Sequence, residues 1–431
     1  MKVKLSKLII LITLTLFLTQ CKKNTTSSDI DGTHSTTSQF MSYNGMIMCG
    51  YQGWFRCQGD GTGRGWGHYD KGGQFKPGFC TIDFWPDMSE MDNNEKYRTE
   101  FIHEDNTWAY VFSSANEKTV KRHFKWMKDY GIDGVFKQRF VTSTRSPENL
   151  RGMDIVLQNC LKGAEKYNRA ISIMYDMSGC GPEVVELMKE DWKRLVDYYD
   201  ITNRGKNQSY LYHNNKPLVA IWGAGFNDDR RYSLDDIDEL VTFFKEDSVY
   251  GRCSVLLGIP TYWRTLSGDC VSDTKLHDLI KKVDIIHTWT VGRYGNLSGV
   301  DAHHSIIEAD LQWCEDNNIG YTPSVFPGFS WHNMFPESPL NVIPRLKGEF
   351  LWRQFYNAIS AGCEMIYVSM FDEIDEGTAI FKCTNNPPNG ESQFCDYEGL
   401  PTDFYLKLTG EATKMLRGEI PLDSNIPIET E

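Results

Sequence analysis

The sequence predicts an α/β fold, a single (β/α)8 TIM barrel with long βα loops, on three observations. Eight short runs rich in β-branched, aromatic and other apolar residues recur along the chain, stretches of helical period separate them, and each separation leaves room for the crossover a parallel pair needs. A doubly wound open sheet shares that alternation. However, the first strand enters no GxGxxG turn, and "GDGTGRGWG" (59–67) lacks both that spacing and a helix behind it.

In chain order, residues 1–21 read as an export segment. Lys2, Lys4 and Lys7 precede "LIILITLTLFL" (8–18), which is too short and too terminal for an ordinary membrane span. The run closes in "LTQC", which resembles a bacterial lipobox with Cys21 as the lipidated residue, although Gln20 is larger than the usual neighbour. A plain secretory signal or a short anchor is the alternative. Residues 22–40 are polar and aperiodic and are expected to form a flexible tether. The barrel is expected over 41–420, with a short tail over 421–431.

Within the barrel, strands are predicted at 45–51, 133–140, 170–176, 217–223, 254–260, 284–290, 320–326 and 365–371. Helices are predicted at 117–131, 148–168, 182–200, 233–247 and 301–318, with a closing helix at 401–418. Their openings carry helix signals: Ser146 before Pro147, Pro182 in a first turn, and Ser233 with Asp236 three residues on.

Composition narrows the function classes. A net charge of −13 argues against a nucleic-acid or anionic-lipid surface. The 12 Trp, 21 Tyr and 23 Phe are an unusual share; many must sit in the core, but several stand at predicted strand ends, where rings can stack on sugars. Leaving Cys21 aside, the cysteines allow disulfides bracketing loops, Cys57 with Cys80, Cys253 with Cys270 and Cys383 with Cys395, but sequence does not fix the pairing. No CxxC or Cys/His ligand spacing occurs, so no metal and no cofactor are expected.

In a barrel the active site lies at the C-terminal ends of the strands. Those ends supply Tyr51, Gln52 and Trp54, with His68 in the loop beyond; Gln138 and Arg139; Asp176; Trp222; Trp263; Trp289; Trp331; and the cluster Asp372, Glu373, Asp375 and Glu376. Rings, amides, a guanidinium and carboxylates converge, which suits a carbohydrate cleft. Each has a plainer reading. Asp176 could cap the next helix, His68 could be solvated, and the tryptophans could be core; Trp108 and Trp126 are expected in the core, and His303 and His304 on the surface. The acidic cluster could be a solvated loop or a calcium site, but no EF-hand spacing supports calcium. As a site it offers the two carboxyl groups that glycoside hydrolysis requires, and mutual repulsion would keep one protonated near neutral pH.

"SMFDEIDEGTAI" (369–380) resembles the strand-eight motif of glycoside hydrolase family 99, S-F-N-E-W-H-E-G-T-x-I, with family 71 a more distant relative. "TPSVFPGFSW" (322–331) resembles its P-S-V-x-P-G-Y segment, "MKDYGIDGVFKQRF" (127–140) its strand-two entry, and "GWGHY" (65–69) its W-x-H-W element. The resemblance implies a retaining, endo-acting glycosidase. Glu376 would be acid and then base, and Glu373 the base that draws the proton from the sugar 2-hydroxyl so that a 1,2-anhydro sugar forms. Family 99 acts inside α-mannosidic chains and family 71 on α-1,3-glucan. Here Asp372, Ile374 and Asp375 replace the motif's Asn, Trp and His, so another sugar, xylan-like or algal polysaccharides included, is expected, with Asp372 and Asp375 setting specificity. The expected partner is a carbohydrate bound by a monomer held to the bacterial outer membrane by its lipid alone. The alternative is a glycan-binding lipoprotein without turnover.

Overall fold

The computed structural model describes residues 38–429. The export segment, Cys21 and residues 22–37 of the expected tether lie outside the described residues. Ser38 is already tied down, its hydroxyl donating to the Tyr210 carbonyl at 2.8 Å. No helix among the described residues is long and apolar enough to cross a membrane.

Eight parallel strands form the wall: β1 (Met46–Tyr51), β2 (Gly134–Phe140), β3 (Ala170–Asp176), β4 (Lys216–Trp222), β5 (Ser254–Pro260), β6 (Ile285–Trp289), β7 (Gly320–Val325) and β8 (Met365–Val368). Neighbours in sequence pair in order, and β1 pairs with β8 in parallel register, Met46 opposite Met365, which closes the barrel. Each strand is followed by a helix: α1 (Glu117–Tyr130), α2 (Pro147–Tyr167), α3 (Val184–Tyr199), α4 (Leu234–Glu246), α5 (Lys275–Ile280), α6 (Leu297–Asp316), α7 (Glu349–Ser360) and α8 (Phe404–Leu416). All eight predicted strands are present within a few residues. The caps work as expected at two helices: Ser146 accepts from Asn149 N with Pro147 opening α2, and Ser233 forms a capping box with Asp236 on α4. Pro182 lies before α3 rather than in its first turn.

The period-2 alternation of the strands divides the core in two. Met46, Met48, Phe136, Met174, Leu218, Ala220, Leu256, Ile285, Met365 and Tyr367 fill the barrel interior. The residues between them face the helices, so Ile47, Cys49, Val135, Ile173, Val219, Leu257 and Ile366 join the outer layer. Gly50 is on the inner face, where a Cβ would lie 2.2 Å from Tyr367 Oη and 2.3 Å from the Met370 thioether. Gly50→Ala is therefore expected to destabilise the fold by about 1–3 kcal/mol, read as a lower urea midpoint at unchanged slope.

Several expectations change. A β-hairpin, Tyr97–Ile102 with Trp108–Val111, interrupts the connection from β1 to α1 and was not predicted; nor were the short α5 or α7. Trp108 is on that hairpin's outer face, 45% exposed under the Arg98 guanidinium, not in the core. Trp126 is buried as expected. His303 is buried against Tyr294 rather than on the surface, because α6 turns that face toward the barrel. The eleven cysteines among the described residues are all buried thiols, and none is paired. The bracketing disulfides are therefore not formed, and apolar packing with backbone hydrogen bonds holds those loops.

Candidate active site

The chain leaves β8 at Val368 and folds back on itself. Met370 N donates to Thr378 O, Ala379 N to Glu373 O at 2.7 Å, and Phe381 N to Phe371 O at 3.0 Å. Gly377 turns the chain at φ +64°, where a Cβ would lie 2.8 Å from Ser330 N. Buried Arg345 donates to the carbonyls of Gly377 and Ala379 at 2.9 and 2.7 Å, and its guanidinium stacks over Phe84, Tyr397 and Tyr405. Ser330 N, in the loop after β7, donates to Glu376 O at 3.1 Å. The acidic stretch is thus a rigid turn pinned by its neighbours, not a solvated loop, and among the described residues no His/Cys/Asp/Glu group has metal-binding geometry.

The four carboxylates do different work. Asp372 is fully buried and accepts from Gln52 N at 2.7 Å and Gly53 N at 2.8 Å, clamping the end of β1 to the end of β8. Burial pushes its pKa up to about 6 against those bonds and the nearby Lys137 ammonium. Lys137 faces outward from β2 and is itself lowered to about 8 by burial, with Nζ donating to the Gln52 and Gln138 carbonyls. Glu373 Oε2 accepts from Gln52 Nε2 at 2.7 Å, while its Oε1 has no partner. Burial, then Glu376 and Asp375, hold Glu373 well above the usual carboxylate range, and the Gln52 bond opposes this. Asp375 meets His68 Nδ1 at 3.2 Å, and the His68 ring stacks on Trp54 at 3.9 Å, nearly parallel. Glu376 is half-buried, with a pKa raised to about 7, first by burial and then by Asp375 and Asp176.

Glu376 stands where two hollows meet. One, about 280 Å³, is lined by Glu373, Glu376, Asp176, Gln52, Gln138, Trp54, Trp222 and Trp289. The other, about 600 Å³, is lined by Glu376 with Trp289, Tyr294, Phe329 and Trp331. Volumes of this size fit one or two sugar rings. Trp222 and Trp289 meet edge to face, and the indole N–H groups of Trp54 and Trp222 have no partner in the protein. Asp176 lines the first hollow and accepts from Ser178 N at 2.7 Å; it caps that turn and not the helix, since α3 begins only at Val184.

Five residues expected to bind substrate do not line the cleft, and one of them, Asp375, is buried behind His68. Tyr51 faces the helices, its hydroxyl on His123 Nδ1. Arg139 is locked in a buried cluster with Asp191 and Asp154. Trp263 is fully buried against Trp313 and bonds Asp310. Asp372 is the clamp described above. Tyr51 and Arg139 fail for one reason: they occupy the outward parity of their strands, whereas Gln138 and Asp176 occupy the inward one. The same parity brings in Phe140, which the sequence reading missed although it lies two residues beyond Gln138. Asp83 was also missed. It accepts from Ser330 Oγ, His332 N and Asn333 N and so organises the Trp331 loop from a part of the chain that carries no motif.

Comparison with known proteins bears on the fold and the family. A family model described as Glycosyl hydrolase family 99 matches residues 272–417, which include β6 to β8 and the acidic turn. The glycoprotein endo-alpha-1,2-mannosidase of Rattus norvegicus is 21% identical over 328 residues, 73% of this chain and 65% of that protein; its Mus musculus counterpart is 22% identical over 314 residues, 69% and 60%. The chain thus spans somewhat less than two thirds of the length of these relatives. Among solved structures, the GH99 endo-alpha-mannosidase from Bacteroides thetaiotaomicron aligns with a TM-score of 0.63 at 16% identity, covering 87% of this chain and 98% of that one. At that identity the alignment establishes the barrel fold. Together the matches make this a chain similar to family 99.

Proposed function

We propose that this chain is an endo-acting, retaining glycoside hydrolase that cuts an α-linked glycan, with Glu376 as acid and base and Glu373 as the base at the 2-hydroxyl. One observation carries the reading: buried Glu373 and half-buried Glu376 line one aromatic hollow, a second opens on Glu376, and burial, with the carboxylates around them, raises both pKa values so that at least one proton stays on the pair near neutral pH. Hollows on both sides of Glu376 support cleavage within a chain. The mannosidic names of the relatives make α-mannans the first substrates to try.

The reaction requires the shared proton on Glu376 and the charge on Glu373, where the hydrogen bond donated by Gln52 favours the ionised form against burial and the neighbouring carboxylates. Glu373 takes the 2-hydroxyl proton, O2 bonds to C1, and the C1–O bond breaks toward the leaving oxygen, which takes the proton of Glu376. Water then gives its proton to Glu376 and attacks C1; the C1–O2 bond opens and O2 recovers its proton from Glu373. This is the chemistry the family resemblance implies. Sequestration under the tryptophans strengthens each electrostatic contribution. A glycan-binding protein without turnover needs the aromatic hollows but not this pair.

A polysaccharide panel read by product chromatography tests the proposal. Oligosaccharides released by the wild type and not by Glu376→Gln support it; identical behaviour of the two proteins overturns it. The anomer first seen by proton NMR decides retention. Asp375 is the largest cause, after burial, of the raised pKa of Glu376. Asp375→Asn is therefore expected to move the alkaline limb of kcat/KM to lower pH, because the acid must be protonated and now loses its proton sooner. An unmoved limb would assign that limb to another group. The lipid anchor on Cys21 and the outer-membrane location are part of the same proposal, and mass spectrometry of the mature N-terminus checks them: an unmodified cleaved end removes the anchor.

A further inference from the structure

Beyond the catalytic hollow, away from the aromatic one, a third hollow of about 280 Å³ continues the cleft, sharing Gln52, Trp54, Gln138 and Phe140 with its neighbour. Its lining is unusual for a chain of net charge −13: it contains Arg56, Arg64 and Lys137 and no Asp or Glu. Lys137 is accounted for by Asp372 and two carbonyls. The arginines are not. Among the described residues neither forms an ion pair, and they face one another across Gly152, where both lie within 4.0 Å of the position a Cβ would take.

Arg56 is only 5% exposed. Its Nη1 donates to the carbonyls of Gly53 and Phe55, its Nη2 to that of Gly152, and its Nε has no partner. The carboxylate that acts on it, Asp60, spends its oxygens on Thr62, Ser113 and Cys57 N. Burial and Arg64 lower the Arg56 pKa, offset in part by Asp60, to about 10, so the group stays charged at neutral pH. A buried cation met only by carbonyls is costly unless something neutralises it. Guanidinium groups bind carboxylate and tetrahedral oxyanions in two-point fashion, and the stacked Trp54–His68 pair beside them offers a face for a sugar ring.

We propose that this third hollow is a subsite for a sugar bearing an acidic substituent, a carboxylate, sulfate or phosphate, held by Arg56 and Arg64 one position beyond the sugar cleaved at Glu376. The assignment rests on the hydrolase reading for its place along the glycan, but the recognition of charge does not. Because the rest of the chain repels polyanions, the arginine pair sets the register of an acidic glycan in the cleft.

The test uses the Glu376→Gln protein, so that binding is measured without turnover, in affinity electrophoresis. The probes are a sulfated α-mannan, a phosphomannan and a uronate-containing mannan, each against its desulfated, dephosphorylated or carboxyl-reduced form. At least one acidic glycan is expected to bind about tenfold tighter than its neutral form and to weaken as salt rises. Arg64→Ala, at an exposed position, should abolish most of that preference while leaving binding to the neutral glycan unchanged, and Arg56→Lys, which keeps the charge but loses the fork, should abolish it as well. Which acidic glycan shows the effect identifies the substituent. Equal binding of every acidic and neutral pair, or a preference indifferent to both arginine variants, overturns the proposal. Neutral α-mannan cleaved by wild type with no acid preference would remove this subsite and leave the hydrolase reading intact. Arginine-dependent binding of an acidic glycan that wild type never cleaves would do the reverse.

Discussion

Glu376→Gln is expected to lower kcat/KM on a natural glycan by about 10²–10⁴-fold, the range a single positioned acid or base contributes. The loss should depend on the leaving group. An aryl or fluoride leaving group needs no proton, so the variant should recover most of its rate in the first step on such substrates and then stall at the second, where Glu376 activates water. Glu373→Gln should lose a comparable factor on natural and activated substrates alike, since the 2-hydroxyl must still be deprotonated. Single-turnover kinetics with an activated glycoside separate the two steps. Equal leaving-group sensitivity in the two variants would exclude the division of labour proposed for the pair. Glu376→Gln keeps the shape of the side chain, and the polar contact that holds this residue in place is made through its backbone carbonyl to Ser330. The substitution should therefore leave stability nearly unchanged.

Asp372→Ala should have the largest structural effect of any single carboxylate change in the turn. Both Asp372 oxygens accept backbone N–H groups, from Gln52 and Gly53, in a fully buried position. Truncation strands two donors and leaves the Lys137 ammonium without its counter-charge. At about 1–3 kcal/mol for each unsatisfied buried group, the loss is on the order of 4 kcal/mol, read from urea unfolding. Asp372→Asn should lose about half as much, since one amide oxygen can still accept while the amide nitrogen faces the second donor. Activity should fall with stability, because the same clamp places Gln52 on Glu373. If Ala and Asn destabilise equally, the second hydrogen bond contributes nothing. Asp372 therefore acts on the site from behind the wall. Of the positions where this chain departs from the family motif, Ile374 is fully buried, and only Asp375, through His68 and Trp54, reaches the cleft.

The clearest errors of the sequence reading were errors of direction. Tyr51 and Arg139 were placed at the right height of the barrel but face the helices, and Trp263 turned under α6 instead of over the cleft. Taking strand ends as sites uses the rise along a strand; it needs the parity of each strand as well. That parity was readable for β2, where Phe136, Gln138 and Phe140 alternate with Val135, Lys137 and Arg139. It was obscured because the charged and amide residues Lys137, Gln138 and Arg139 stand consecutively, so polarity did not mark the inward face. The hairpin at 97–111 escaped because its strands are short, six and four residues, and Arg98 and Glu100 interrupt the first.

By itself the sequence determined the barrel, since eight apolar runs of strand length separated by helix-length segments leave few other ways to bury them. It also singled out the acidic turn as the candidate site, since four carboxylates after an apolar strand demand an explanation. Only the tertiary structure decided which carboxylate does what. Asp372 and Glu373 are adjacent in the chain and alike in chemistry, yet one clamps backbone behind the wall and the other lines the cleft. Burial and the contacts with Gln52, Gly53 and Lys137, residues roughly two hundred or more positions away that barrel closure brings together, set the two apart. The arginine pair of the third hollow is of the same kind: nothing in "FRCQGDGTGR" (55–64) shows that its two charges will meet no carboxylate, because that depends on what the rest of the chain places around them.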